Sequence, residues 1–355
     1  MSSPEEIASR IRSWHPKGPQ GPMTLELYPT LKCNLDCGFC DTTERHRKPV
    51  NELSLERSLE LIEEAASMGV KRVFVLGGGE PLLARHKTPA ILRKIKELGL
   101  EGILTTNGVL LDRNLREQFL DTGFDEIHFS IDGPTAEIHD FLRGVKGAFK
   151  KTVSNICALN VQKKQRGLHH PRIALHFVMT KHNYTCLSDM LHLASALGAF
   201  RVDFDALIAY QEEQKAFDLS PEEKQRVPAI AKEALQLAEK LGIQTTLEGF
   251  LEPENLSRGE RTFEPIEDAE EGLKGAPCLK AWHYLVVQAD GLTSPCCVLA
   301  GEGESVAKQS LKELWEDSPF LNKVREGMLK GKPLPRCTEC SANILAHETV
   351  IRSHL

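Results

Sequence analysis

Three cysteines within eight residues constrain this chain more than any other stretch: Cys33-Asn34-Leu35-Asp36-Cys37-Gly38-Phe39-Cys40. The spacing is C-x3-C-x2-C. A run this short cannot span an ordinary disulfide framework, and an odd number of thiols leaves one unpaired. Three soft ligands on one tight loop suit a metal centre. A cubane iron–sulfur cluster normally takes four cysteines, one for each iron. Three local cysteines would leave one iron open to another ligand. A zinc loop that borrows a fourth ligand from elsewhere fits the same triplet.

The rest of the chain sets the scale. With 355 residues it has room for two or three domains, or for one large barrel with an extension. Hydrophobic residues make up 41%, enough for a sizeable core. A net charge of −6 gives no electrostatic case for nucleic-acid binding. The local basic cluster Lys163, Lys164 and Arg166 reads as a solvated loop. No apolar run approaches the roughly 20 residues that span a bilayer. The segment from Met1 to Gln20 is polar and lacks the apolar stretch of a signal peptide. Ten cysteines without an export signal point to reduced thiols or metal ligands, and so to the cytoplasm.

Hydrophobic periodicity predicts strands at Met23–Tyr28, Arg72–Leu76, Gly102–Leu104, Glu126–Ser130, Arg172–Val178 and Arg201–Leu207. Between them it predicts helices over Leu55–Met68, with Ser54 as N-cap, then Thr88–Leu98, Leu111–Leu120, Gly147–Leu159 and Cys186–Leu197. A short helix over Pro4–Trp14 precedes the first strand. Six strands alternating with helices argue for a parallel sheet with right-handed crossovers. In parallel α/β barrels the site lies at the C-terminal ends of the strands. The cysteine loop follows the first strand, Gly77-Gly78-Gly79-Glu80-Pro81 the second, Thr105-Thr106-Asn107-Gly108 the third, and Ser130 and Asp132 the fourth. All four would open on one mouth.

This order of motifs resembles the radical S-adenosylmethionine (SAM) enzymes, over roughly residues 24–210. The resemblance implies a partial (β/α)6 barrel in the α/β class, with a doubly wound sheet as the fold alternative. It implies a [4Fe–4S] cluster on Cys33, Cys37 and Cys40 whose open iron chelates SAM. It also implies reductive cleavage of SAM to a 5′-deoxyadenosyl radical, with the electron brought by a partner such as flavodoxin or ferredoxin. The cofactor-binding residues carried over are Gly78, Gly79, Glu80, Asn107, Ser130, Asp132 and Arg143. The backbone of Gly78-Gly79-Glu80 would hold the SAM amino group. Asn107 and Ser130 could bond the ribose or carboxylate, and Arg143 could clamp a carboxylate. Taken singly, Asn107 and Ser130 also suit turns, and Arg143 a surface ion pair.

A second cysteine set follows a predicted helix over Ser220–Leu241, a strand over Ile243–Leu247 and a polar loop over Glu252–Gly275. It comprises Cys278, Cys296, Cys337 and Cys340, with Cys297 as a fifth. Asp290-Gly291 turns a predicted hairpin between Tyr284–Gln288 and Leu292–Ser294. Helical segments Leu311–Trp315 and Phe320–Leu329 fill the gap before Cys337. The set resembles the twitch/SPASM domains of some radical SAM enzymes, which implies one auxiliary [4Fe–4S] cluster bound by four cysteines. Structural zinc satisfies the same spacing. The sulfatase-maturing branch has an aspartate base where Cys297 stands. Cys297 is thus a substitute ligand, a hydrogen-atom donor or a small buried residue. Cys157 and Cys186 read as core, and Trp282 and His283 as packing near the cluster.

The expected organisation is an N-terminal extension at 1–22, a core barrel at 23–215, a linker helix and loop at 216–275 and a cluster domain at 276–355. The expected function is hydrogen abstraction leading to net oxidation of a small molecule. Residues 1–22 are too few for a leader-peptide-binding domain, which favours a small molecule over a peptide. Epimerisation and peptide maturation are the alternatives within the family. A non-enzymatic zinc protein that binds partners is the alternative outside it. Neither nucleic acid nor membrane is expected as a partner.

Overall fold

A computed structural model describes residues 3–14, 20–40, 42, 50–209, 211–256, 263, 272–340 and 348–355. Its centre is one nine-stranded sheet in the order β7-β6-β5-β4-β3-β2-β1-β8-β9. The strands are β1 Thr24–Leu27, β2 Arg72–Val75, β3 Glu101–Thr106, β4 Glu126–Ser130, β5 Arg172–Met179, β6 Arg201–Ala206, β7 Gln244–Thr245, β8 Tyr284–Val287 and β9 Thr293–Ser294. Strands β1 to β7 pair in parallel with their sequence neighbours. The first six carry the expected alternation with helices, and β7 and β9 leave the sheet open at its ends.

Side chains alternate across each strand. Leu25, Val73, Leu104, Phe129, Leu175 and Phe204 are fully buried in the main core with helix residues such as Leu61, Ile91 and Leu191. The opposite face is polar. Low in the barrel, the buried Glu126 carboxylate meets Arg172, and His128 Nε2 lies 3.1 Å from it. Arg201 sits 3.3 Å from His128 and 3.1 Å from Asp203. Burial alone would raise the Glu126 pKa, but His128, Arg172 and Arg201 outweigh it and hold the group at about 2.

The second domain does not stand apart from the barrel. Strand β8 pairs in parallel with β1, placing Tyr284 opposite Thr24 and Val287 opposite Leu27. Strand β9 returns antiparallel to β8. The expected hairpin is thus present, and its first strand extends the barrel sheet. The helix Pro221–Leu241 also packs into the main core through Val227, Ala231, Ala234 and Ala238.

Several expectations change. The strand over Ile243–Leu247 reduces to Gln244–Thr245, because the chain turns into a 3-10 segment at Leu247. Lys163, Lys164 and Arg166 form the last turn of the helix Ala148–Arg166, where cations complement the helix dipole. A helix over Ala136–Arg143, capped by Thr135, was not expected. Cys157 is exposed and Cys186 half-buried, since the core faces of their helices are taken by Ile156 and Leu187. The loop expected over Glu252–Gly275 falls largely outside the described residues. Among the described residues no helix is long and apolar enough to cross a membrane. None of the ten cysteines is in a disulfide.

Glu126 makes acid stability testable. Its depressed pKa contributes stability that is complete above the ordinary carboxylate value of 4.5 and is lost as pH falls through about 2. Glu126→Gln should flatten the dependence of unfolding free energy on pH across that window, measured by urea denaturation at stepped pH. An unchanged slope would show that the barrel floor does not carry this charge. Leu285, fully buried on β8, should cost about 2–5 kcal/mol as Leu285→Ala.

Candidate active site

The cysteine loop is fixed by side-chain and backbone contacts. Thr30 donates to Glu52 at 2.6 Å, and Glu52 pairs with Lys87 at 3.3 Å. The carbonyl of Lys32 accepts from the Glu80 amide at 2.8 Å. A Cβ on Gly79 would lie 2.0 Å from that carbonyl oxygen, so only glycine fits where the second strand's loop crosses the first. On the other side, the Asp36 amide donates to the Arg143 carbonyl at 3.2 Å. Gly144, at φ +68°, would place a Cβ 2.2 Å from the Asp36 carbonyl. The loop therefore lies in a slot between two glycines.

Each candidate side chain has a definite place. Glu80 is buried and committed: it accepts from Thr106 at 2.6 Å and from the Asn107 and Leu82 amides at 2.8 and 2.9 Å. Burial raises its pKa. Asn107 donates to Asn34 of the cysteine loop at 2.9 Å and accepts from Val109. Asp132 is fully buried, accepts from the Val178 amide at 2.9 Å and pairs with Arg143 at 2.5 Å. Arg143 reaches Cys37 Sγ at 3.9 Å and lies 5.6 Å from the Phe39 ring. Burial would lower its pKa, but Asp132 and Cys37 raise it, so the guanidinium stays charged. Burial pushes the Cys37 thiol up to about 12 and raises that of Cys33.

These residues converge. Cys33, Cys37, Cys40, Gly77 to Glu80, Asn107, Ser130 and Arg143 line one cavity of about 480 Å³. That volume lies within the range of small-molecule sites. Asp132 stands behind Arg143 rather than on the wall. Cys297 opens on the same cavity and is exposed to it, which corrects the reading of a small buried residue. Surrounding protein, then Glu26 and Cys296, drive its pKa well above the usual thiol value.

Two polar groups in the barrel escaped the sequence reading, the first of them on the cavity wall. His176 on β5 and Asp205 on β6 meet at 2.8 Å, and Asp205 holds the imidazole pKa up against the effect of burial. The buried Glu26 of β1 accepts from Tyr28 at 2.7 Å and from Tyr284 of β8. The signal was present: both sit at alternate positions on strands whose other face is apolar.

A second cavity gathers Cys278, Cys296, Cys337 and Cys340 with the apolar Ala281, Leu299, Val324 and Met328. Burial pushes Cys296 up to about 11 and Cys337 up to about 12. Trp282 lies in the same apolar cluster. Val298 lines both cavities, so residues 296–298 form the partition between them. Among the described residues no three His, Cys, Asp or Glu side chains form a site for a single metal ion. The donor sets, three thiols on one cavity and four on the other, fit the two kinds of cysteine-bound cluster.

Comparison with known proteins defines the class. Residues 27–194 match the radical SAM superfamily, and residues 278–341 match SPASM, an iron–sulfur cluster-binding domain. The chain is a radical SAM protein with a SPASM-type auxiliary domain, which implies [4Fe–4S] clusters and SAM. An AdoMet-dependent heme synthase of Methanosarcina barkeri is 29% identical over 310 residues, 85% of each chain. A PqqA peptide cyclase of Granulibacter bethesdensis is 25% identical over 89% of this chain and 79% of its own. The structure of Streptococcus suis SuiB bound to SAM shares the fold, with a TM-score of 0.68 at 18% identity, over 91% of this chain and 74% of that one.

The glycine slot yields a direct test. Gly79→Ala should displace the cysteine loop and lower iron bound at Cys33, Cys37 and Cys40 after anaerobic reconstitution, with the fold intact by circular dichroism. Full iron content in that variant would show that the slot is not what holds the loop.

Proposed function

We propose that this chain is an enzyme that uses SAM to abstract a hydrogen atom from an organic substrate, most simply for net oxidation. The observation that carries this reading is the shared cavity: the three cysteines, the glycine run, Asn107, Ser130, Arg143 and Cys297 all open on it. With clusters and SAM bound, the site supplies one-electron cleavage of SAM and a radical that removes hydrogen. The chain's own residues do the rest. Cys33, Cys37 and Cys40 hold the first cluster, and Cys278, Cys296, Cys337 and Cys340 the auxiliary one. Arg143, kept charged and aimed by Asp132, binds the SAM carboxylate. Ser130 donates to SAM beside it. Glu80 acts at one remove, by tying the third strand's loop to the second. Asn107 likewise holds the cysteine loop through Asn34.

The thin partition at residues 296–298 supports an oxidative outcome, since it sets the auxiliary site beside the substrate space. A second reading is favoured by Cys297: a thiol open to the cavity could return a hydrogen atom and give epimerisation. The named relatives, a heme synthase and a peptide cyclase, leave both a small molecule and a peptide as substrate classes.

Arg143→Ala should weaken SAM binding by roughly ten-fold or more, the loss of one charge-assisted contact. Unchanged affinity by calorimetry would remove Arg143 from the site. Replacing Cys33, Cys37 and Cys40 together with Ala should abolish SAM cleavage while the iron at Cys278, Cys296, Cys337 and Cys340 remains. For the outcome, mass spectrometry in heavy water decides. Oxidation gives a product lighter by two hydrogens, whereas epimerisation adds one deuterium at unchanged hydrogen count.

A further inference from the structure

The two cysteine-lined cavities differ in how their cations are balanced. On the wall of the first, every cationic side chain has a carboxylate partner. Arg143 pairs with Asp132 at 2.5 Å, Arg336 with Glu302 at 3.1 Å and His176 with Asp205 at 2.8 Å. Lys280 shares the wall of the second cavity with Cys278, Cys296, Cys337 and Cys340. Among the described residues no carboxylate stands within ion-pair distance of its ammonium, which rests 4.1 Å from the centre of the Tyr284 ring.

Local structure fixes the lysine there. Lys280 opens the 3-10 turn Lys280–Trp282, two residues after Cys278, and its amide donates to the Cys278 sulfur. Arg325 Nε donates to the Ala281 carbonyl at 3.0 Å and holds the turn from outside. The Tyr284 hydroxyl is tied to Glu26. Two buried carboxylates are near, and both are engaged elsewhere. Glu26 accepts from Tyr28 and Tyr284, while Glu348 accepts from the Leu279 amide and lies 3.7 Å from His283. Neither is on the cavity wall.

A half-buried ammonium that faces thiols instead of a carboxylate needs a counter-charge. The anionic cluster that those thiols would hold supplies one. Local charge, hydrogen bonds to sulfur and exposure set the potential of such a cluster, and a nearby cation favours its reduced form. We propose that Lys280 raises the reduction potential of the auxiliary cluster held by Cys278, Cys296, Cys337 and Cys340. The electron this charge helps to hold is the one left on the substrate after hydrogen abstraction. That electron reduces the auxiliary cluster by one, and the proton lost with it goes to solvent. At the first cavity the paired cations give no such bias. The inference rests on the function proposed above, and the two can fail separately.

The test compares wild-type, Lys280→Met and Lys280→Arg holoproteins, reconstituted anaerobically and titrated with reductant while both clusters are followed by electron paramagnetic resonance. The signal that SAM alters belongs to the cluster at Cys33, Cys37 and Cys40, and the other to the auxiliary one. Lys280→Met should lower the auxiliary potential by about 59 mV or more, a ten-fold change in a one-electron equilibrium. Lys280→Arg should keep it near the wild-type value, and the first cluster's potential should stay where it is in both variants. Equal auxiliary potentials in wild type and Lys280→Met, or an equal fall in Lys280→Arg, would overturn the inference. If Lys280→Met and Lys280→Gln both lose the auxiliary iron, the residue holds the cluster instead of tuning it, and the inference also falls. A wild type with no second cluster signal would instead defeat the function proposed above.

Discussion

The site depends on a steric constraint: the loop with Cys33, Cys37 and Cys40 is confined where backbones nearly touch. Gly79 meets Lys32 on one side and Gly144 meets Asp36 on the other. Neither position tolerates even a methyl group without moving the loop. The contact at Gly144 matters twice, because the preceding residue is Arg143, whose carbonyl holds Asp36 and whose side chain reaches Cys37. Cysteine loop and guanidinium are therefore fixed relative to each other by the same few atoms. Asp132 completes the arrangement from within, at a point no solvent reaches.

Electrostatics divides the barrel interior into layers. Its floor is a set of charges among Glu126, Arg172, Arg201 and Asp203, each balanced by a neighbour, with His128 set among them. Its mouth carries His176 and Asp205, which remain open to the cavity. A buried charge is tolerable only when paired, and truncating one partner leaves the other stranded. The floor accordingly reads as scaffold, while the His176–Asp205 pair at the mouth faces the cavity.

Local chemistry was legible in the sequence and long-range pairing was not. The cysteine spacing, the glycine run, Asn107 and Ser130 could be placed because each ends or follows a predicted strand, whereas Arg143 closes a helix the periodicity did not show. What Glu80, Asp132 and Asn107 hold could not be read, because their partners lie on other strands or in other loops. The same reason hid the pairing of β8 with β1, which joins residues at opposite ends of the chain. The surfaces of Cys157 and Cys186 were misjudged because periodicity places a residue on a helix without fixing which neighbour takes the core. The alternation marked His176 and Glu26 as facing away from the apolar core, but their partners Asp205 and Tyr284 lie on other strands.

The pairing of β8 with β1 also bears on how the protein is made. The cysteine loop leaves the ribosome well before Tyr284–Val287 does. Until β8 is made, β1 has β2 on one side and a bare hydrogen-bonding edge on the other. Such an edge is a template for another strand, including one from a neighbouring nascent chain. The seam that later unites the two halves is thus a part of the growing polypeptide in need of shelter, and the cysteine loop waits beside it until β8 has been made.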